Sequence, residues 1–178
     1  HPNFMGKGLG TYITAWGEER CRQAIDILPA DLLLTARVDA YNTDRPAHQL
    51  FEDMNCTYDR SFYTMRIDMD STPPMSKWPE RIDLRPYASE HLPAVYSAHR
   101  EAFRDHFDHV EVSFESGLEE FKSIEDRPQY DPDLWFIAWD GNEVAGYCQC
   151  QSASPSDHEA GFINIIGVRQ AWRKHGLG

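Results

Sequence analysis

The stretch "FINIIGVRQAWRKHGLG" (162–178) constrains the fold most. Its apolar beginning, with Gly161 before it, reads as a buried strand over 161–168. The strand delivers the chain to Arg173-x-x-Gly176-x-Gly178. Glycines let a backbone turn with positive φ and let a ligand approach the amides, so several N–H groups can converge on a phosphate or pyrophosphate. A helix after such a loop adds its positive end to the same anion site. The chain opens on the same element: Gly8-Leu9-Gly10 matches Gly176-Leu177-Gly178, preceded in each case by an aromatic residue (Phe4, Trp172) and a basic one (Lys7, His175). Gly8 and Gly176 stand 168 residues apart, a domain length, so the chain reads as one period of a longer repeat cut inside the loop. The head copy, Met5-Gly6-Lys7-Gly8-Leu9-Gly10, is followed by a helix signal, whereas the tail copy is preceded by a strand signal.

Periodicity predicts a helix over 11–28, with Ile13, Gly17, Cys21, Ala24, Ile25 and Leu28 on one face. A short apolar run after Pro29 predicts a strand over 30–38, and capping residues before Pro46 predict a helix over 42–55. Alternation predicts a strand over 60–69. Residues 70–80 hold three prolines and read as a linker. Beyond it come a strand at 81–87, one or two helices from Ser89, a helix over 113–124, and a hairpin over 134–150 turning at Asp140-Gly141-Asn142. Two half-domains follow, 1–69 and 81–178, and neither holds enough elements to close a sheet alone. Together they amount to one mixed α/β layer.

A net charge of −12 argues against a nucleic-acid partner, because a phosphate backbone would be repelled. A small anionic cofactor remains compatible with a local nest of amides. No apolar run reaches membrane-span length and no signal peptide is visible, so the chain is expected in the cytoplasm. Cys148-x-Cys150 has the wrong spacing for a zinc knuckle and suits one face of a strand. His106 and His109, with Asp105 and Asp108, share a helix face but lack a third ligand of suitable spacing, so no metal is expected. The glycine spacing fits neither the dinucleotide fingerprint nor a P-loop, which needs Gly-Lys-Ser/Thr.

Val168, Arg173, Gly176 and Gly178 resemble the acetyl-CoA motif of the GNAT N-acetyltransferase superfamily, Arg/Gln-x-x-Gly-x-Gly/Ala after the fourth strand. "RIDLRPYASEHLPAVYSAHREAF" is similar to that family's opening strand and paired helices, and "LWFIAWDGNEVAGYCQC" to its second and third strands. Residues 1–69 resemble the family's other half: glycine loop, third helix, fifth strand, and an Asn-x-x-x-x-Ala-x-x-Leu-Phe helix at 42–51. The likeness is closest to tandem two-domain members such as mycothiol synthase, with 1–69 ending one domain and 81–178 beginning the next.

The resemblance implies acetyl transfer from acetyl-CoA to an amine of a small molecule or peptide by direct attack. It places pyrophosphate on the amides of Arg173, Lys174, His175, Gly176 and Gly178, or of Met5, Gly6, Lys7, Gly8 and Gly10. It places the thioester along Ile166, Gly167 and Val168, with a bulge or splay expected at Gly167, and Asn42 beside the pantetheine arm. Where many members carry a tyrosine that protonates the leaving thiolate, this chain has Phe51; Tyr58 and Tyr63 lie near in sequence. Where several carry an acidic residue on the fourth strand, it has Asn164, which orients water but is a poor base. Met5 replaces the usual Arg or Gln in the head loop. Glu119, Glu120 and Glu125 are expected near the acceptor, where an acidic lip would suit a cationic amine. The rival expectation is a CoA-binding or interaction module that has lost catalysis. The halves are expected to meet within the chain, with 161–168 beside 30–38, between two chains as a swapped dimer, or with domain parts outside this sequence.

Overall fold

The computed structural model describes residues 2–28, 34–107 and 109–178. The chain divides into two compact units, His1–Asp68 and Met69–Gly178.

In the first unit, α1 runs from Leu9 to Arg22 and α2 from Arg45 to Asp53. Gly8 caps α1 in the left-handed conformation at φ 76°, which a residue without Cβ adopts without strain. Asp44 caps α2 by accepting from the Ala47 amide, and Pro46 sits in its first turn. The helix expected over 11–28 stops at Arg22 and resumes only as a 3-10 turn, Ile25–Ile27. The half-buried positions of 11–28 are Thr14, Gly17 and Ala24, whereas Ile13 is exposed. Gly10 faces Leu50 so closely that a Cβ there would lie 3.0 Å from Leu50 Cδ2. Small residues let α1 approach α2 on this side.

Two strand expectations fail in this unit. Residues 34–38 and 60–69 are irregular and exposed, and 30–33 lie outside the described residues. Alternation makes a segment compatible with a sheet, but a strand exists only when a neighbour supplies its ladder. Among the described residues neither segment has one.

The second unit is a four-stranded antiparallel sheet in the order β1-β2-β3-β4: Ile82–Pro86, Trp135–Asp140, Glu143–Gln151 and Phe162–Val168. Its helices are α3 (Leu92–Ala102) and α4 (Phe114–Lys122). Pro93 sits in the first turn of α3, and Ser113 caps α4 by accepting from the Ser116 amide. The hairpin turns at Gly141-Asn142, where Gly141 takes φ 63°.

Period-two alternation sends Trp135, Ile137 and Trp139 to the helix side of β2, and Phe136 and Ala138 to the other. On the helix side, Val95, Tyr96 and Ala98 of α3 and Phe121 of α4 complete a core with Val144 and Tyr147 of β3. Two register shifts bend the sheet. Ala145 is extra between the pairs Trp139–Val144 and Ala138–Gly146, and Asn164 is extra between Gln149–Ile165 and Cys150–Ile163. The bulge expected at Gly167 therefore lies three residues earlier, while Gly167 pairs regularly with Tyr147.

Candidate active site

The site is built where β4 runs into the glycine turn. The Arg169 amide donates to the Ala145 carbonyl at 3.0 Å, so Ala145 and Arg169 form a hydrogen-bonded pair of the β3–β4 ladder. Bonded and non-bonded pairs alternate in an antiparallel ladder. The N–H groups of Ile165 and Gly167 therefore face β3, and those of Ile166 and Val168 face the opposite edge. No described strand pairs with β4 along that edge. Gly167 is required by closeness: a Cβ would lie 3.0 Å from Tyr147 Cε1 and 3.1 Å from Phe103 Cε2. Its absence lets both rings press on the strand backbone.

A 3-10 turn, Gln170–Trp172, follows, and Arg173 is extended after it. Lys174 (φ 67°) and Gly176 (φ 81°) are left-handed. For Lys174 this costs about 1–2 kcal/mol, since it carries a Cβ. The Arg173 amide donates to Gln170 O. Among the described residues, the amides from Lys174 to Gly178 donate to no backbone carbonyl. Lys174, His175, Gly176 and Gly178 are exposed. Beside them is a hollow of about 250 Å³ lined by Val168, Trp172, Arg173, Lys174 and Gly176. Bare amides around a turn with two left-handed residues form the kind of nest that holds a phosphate.

The side chains around the nest are tied to the protein. Arg173 bonds Val168 O, Ala102 O and both carboxylate oxygens of Asp105. Arg169 donates to Glu101 at 2.7 Å and to Val144 O, with its guanidinium over the Trp172 ring. The Trp172 indole donates to Asp140 at 3.0 Å. On the sheet face away from α3 and α4, an apolar hollow of about 350 Å³ is lined by Leu84, Phe136, Cys148, Cys150, Ile166 and Leu177 among others. The Cys148 and Cys150 sulfurs meet there at 3.5 Å, as alternation requires. Burial and the Cys150 hydrogen bond push the Cys148 thiol up, so it stays protonated at neutral pH.

Of the residues expected at the site, Ile166, Gly167, Val168 and 173–178 lie together at the end of β4. Met5, Gly6, Lys7, Gly8, Gly10 and Asn42 belong to the first unit, where Gly6 and Gly8 are left-handed and Gly8 precedes α1. The Asn164 amide donates to Gln149 Oε1 at 3.3 Å. Tyr58 bonds Ser61, and Tyr63 is exposed. Phe51 is half-buried on α2. Asp105 belongs to Arg173, and Asp108 lies outside the described residues. No group of three potential metal ligands occurs among the described residues. Glu119 and Glu120 are exposed on α4, while Glu125 accepts from the Tyr87 hydroxyl at 2.5 Å, a structural bond. No helix among the described residues is long and apolar enough to cross a membrane.

Sequence reasoning missed the pair His99–Tyr147, which supports β4 from the helix side; an isolated histidine and tyrosine 48 residues apart carry no signal of it.

The open-edged last strand and the amide nest after it both lie within residues 92–178, and these residues match the Acetyltransferase (GNAT) family. The mixed α/β fold of the second unit is GNAT-like, with the match running from the start of α3 through the glycine turn. The chain is similar to the crystal structure of a GCN5-related N-acetyltransferase from Sphaerobacter thermophilus, at 29% identity and a TM-score of 0.70 over 99% of this chain. It spans about half, 53%, of that protein's length. Weaker overlap occurs with a putative acetyltransferase from Pyrococcus horikoshii (16% identity, TM-score 0.44, 60% of this chain and 34% of that one). An acetyltransferase from Thermus thermophilus overlaps similarly (17% identity, TM-score 0.43, 54% of this chain and 61% of that one). No curated protein matches the chain.

Proposed function

We propose that the protein transfers an acetyl group from acetyl-CoA to an amine of a small molecule or peptide by direct attack. The observation that carries this reading is the continuity of outward amides on Ile166 and Val168 with the bare amides of 174–178. The first set suits a thioester carbonyl and the second a pyrophosphate. Acetyl-CoA supplies the activated thioester, and this chain's residues bind and orient it. As the amine nitrogen bonds to the carbonyl carbon, negative charge grows on the carbonyl oxygen. An N–H already fixed on β4 stabilises that charge without reorganising. The C–S bond then breaks, the amine loses its extra proton, and the thiolate must gain one.

In the same reading the two units are parts of successive tandem domains, and the head loop is the first domain's copy of the nest. A second reading is a domain that binds CoA without turnover. Asn164 favours it, because its amide is engaged with Gln149 and it is a poor base. Thiol release from acetyl-CoA, followed with a panel of small amines and peptides, separates the two. Acceleration by any amine supports transfer. Tight acetyl-CoA binding with no acceleration by any of them supports the binding module.

A further inference from the structure

We infer that Arg173 is a positioning residue that holds the glycine turn in shape, and that it does not itself bind phosphate. The inference rests on the acetyl-CoA reading above. The Arg173 guanidinium reaches three separate pieces of the unit. Nε donates to Val168 O at the end of β4 at 3.1 Å. Nη2 donates to Ala102 O at 2.7 Å, on the last residue of α3. Nη1 and Nη2 grip Asp105 Oδ2 and Oδ1 at 2.8 and 3.1 Å. An arginine carries five N–H donors, and these contacts engage four. The paired Asp105 carboxylate answers the charge, and the Ala102 carbonyl is one of the orphan acceptors at a helix C-terminus, where a cation is favoured. A guanidinium so engaged has little left to offer an anion.

What the clamp accomplishes is visible in the next residue. Lys174 is left-handed although it carries a Cβ, and Gly176 follows in the same region. Residues in that region persist where their surroundings over-determine them. Arg173 fixes the chain immediately before Lys174 on three sides, so the amides from Lys174 to Gly178 are presented as a set. The planar fork is essential: lysine has the charge but not the parallel donors that match a carboxylate.

The test compares the wild-type chain with Arg173→Ala, Arg173→Lys and the double variant Arg173→Ala/Lys174→Gly. Calorimetry reads the affinity for desulfo-CoA, and NMR follows titration of the Asp105 carboxyl. Arg173→Ala is expected to weaken binding roughly tenfold, the factor equivalent to releasing one left-handed residue. Arg173→Lys is expected to lose as much, because lysine cannot make the paired contact to Asp105. Glycine at 174 removes the strain the clamp opposes, so the double variant is expected to recover most of the loss. The Asp105 carboxyl, held at about 2 chiefly by the Arg173 hydrogen bonds, is expected to return toward the usual value of about 3.9 in Arg173→Ala. Wild-type affinity in Arg173→Ala or Arg173→Lys, or no recovery in the double variant, overturns the inference and leaves the acetyl-CoA reading standing. No binding by the wild-type chain, with Asp105 still shifting in Arg173→Ala, removes the acetyl-CoA reading and leaves the clamp standing; Asp105 unshifted in Arg173→Ala overturns the clamp itself.

Discussion

The Tyr147 hydroxyl lies 2.6 Å from Nδ1 of His99, joining β3 to α3 directly beneath Gly167 of β4. Burial raises the Tyr147 phenol far above its ordinary range, so it keeps its proton and can donate to a neutral imidazole. Replacing Tyr147 by phenylalanine removes the donor and leaves a ring nitrogen in a largely apolar setting. Tyr147→Phe is expected to destabilise the protein by about 1–3 kcal/mol, read by urea denaturation. No change in the denaturation midpoint would show that the pair contributes nothing.

The burial of His99 sets a pH dependence. Burial, with a smaller contribution from His109, holds His99 below its ordinary value of 6.5. The unfolded chain therefore binds a proton at His99 more readily than the folded one. This contribution to stability is fully present above about pH 6.5, the unfolded value, and declines as pH falls toward the lowered folded value. His99→Phe is expected to flatten that part of the stability curve.

Gly117 of α4 lies against Tyr96 of α3, so closely that a Cβ would fall on the Tyr96 hydroxyl. Relief requires moving a buried ring or separating the helices. Gly117→Ala is expected to destabilise by roughly 1–3 kcal/mol despite alanine's better helix propensity. A thermal midpoint at or above that of the wild type would contradict this packing.

At Gly176 the opposite physics applies. Nothing lies within 4 Å of a Cβ built there, yet φ is 81°. Gly176→Val meets no clash and instead strains the turn, since a β-branched residue avoids that region. Loss of desulfo-CoA affinity is expected with little change in global stability. Gly176→Asn, which tolerates the left-handed region, is expected to retain more affinity than Val. Equal affinity in all three proteins would remove the nest from the account.

Much of the second unit was legible in the sequence. The hairpin announced itself through Gly141 and the flanking apolar alternation, and the strand at 161–168 through its apolar run. Those signals are local, and the local physics decides them. The strands expected at 30–38 and 60–69 did not appear in the described residues, because a ladder is a property of neighbours rather than of a segment. The extra residue at Asn164 was invisible for a similar reason: a bulge is a mismatch between two strands, and neither one reports it alone. Arg173 was legible as a motif residue, but its direction was not. Its partners Ala102 and Asp105 come from α3 and the turn after it, roughly seventy residues earlier.

The central claim, that the open edge of β4 and the turn after it form an acetyl-CoA site, is tested most directly by calorimetry of the chain with acetyl-CoA, using desulfo-CoA as competitor. The account predicts binding at the β4 turn that is competed by desulfo-CoA, indifferent to free acetate, and weakened by Gly176→Val. No heat of binding from acetyl-CoA, or binding untouched by Gly176→Val and by desulfo-CoA, would contradict it.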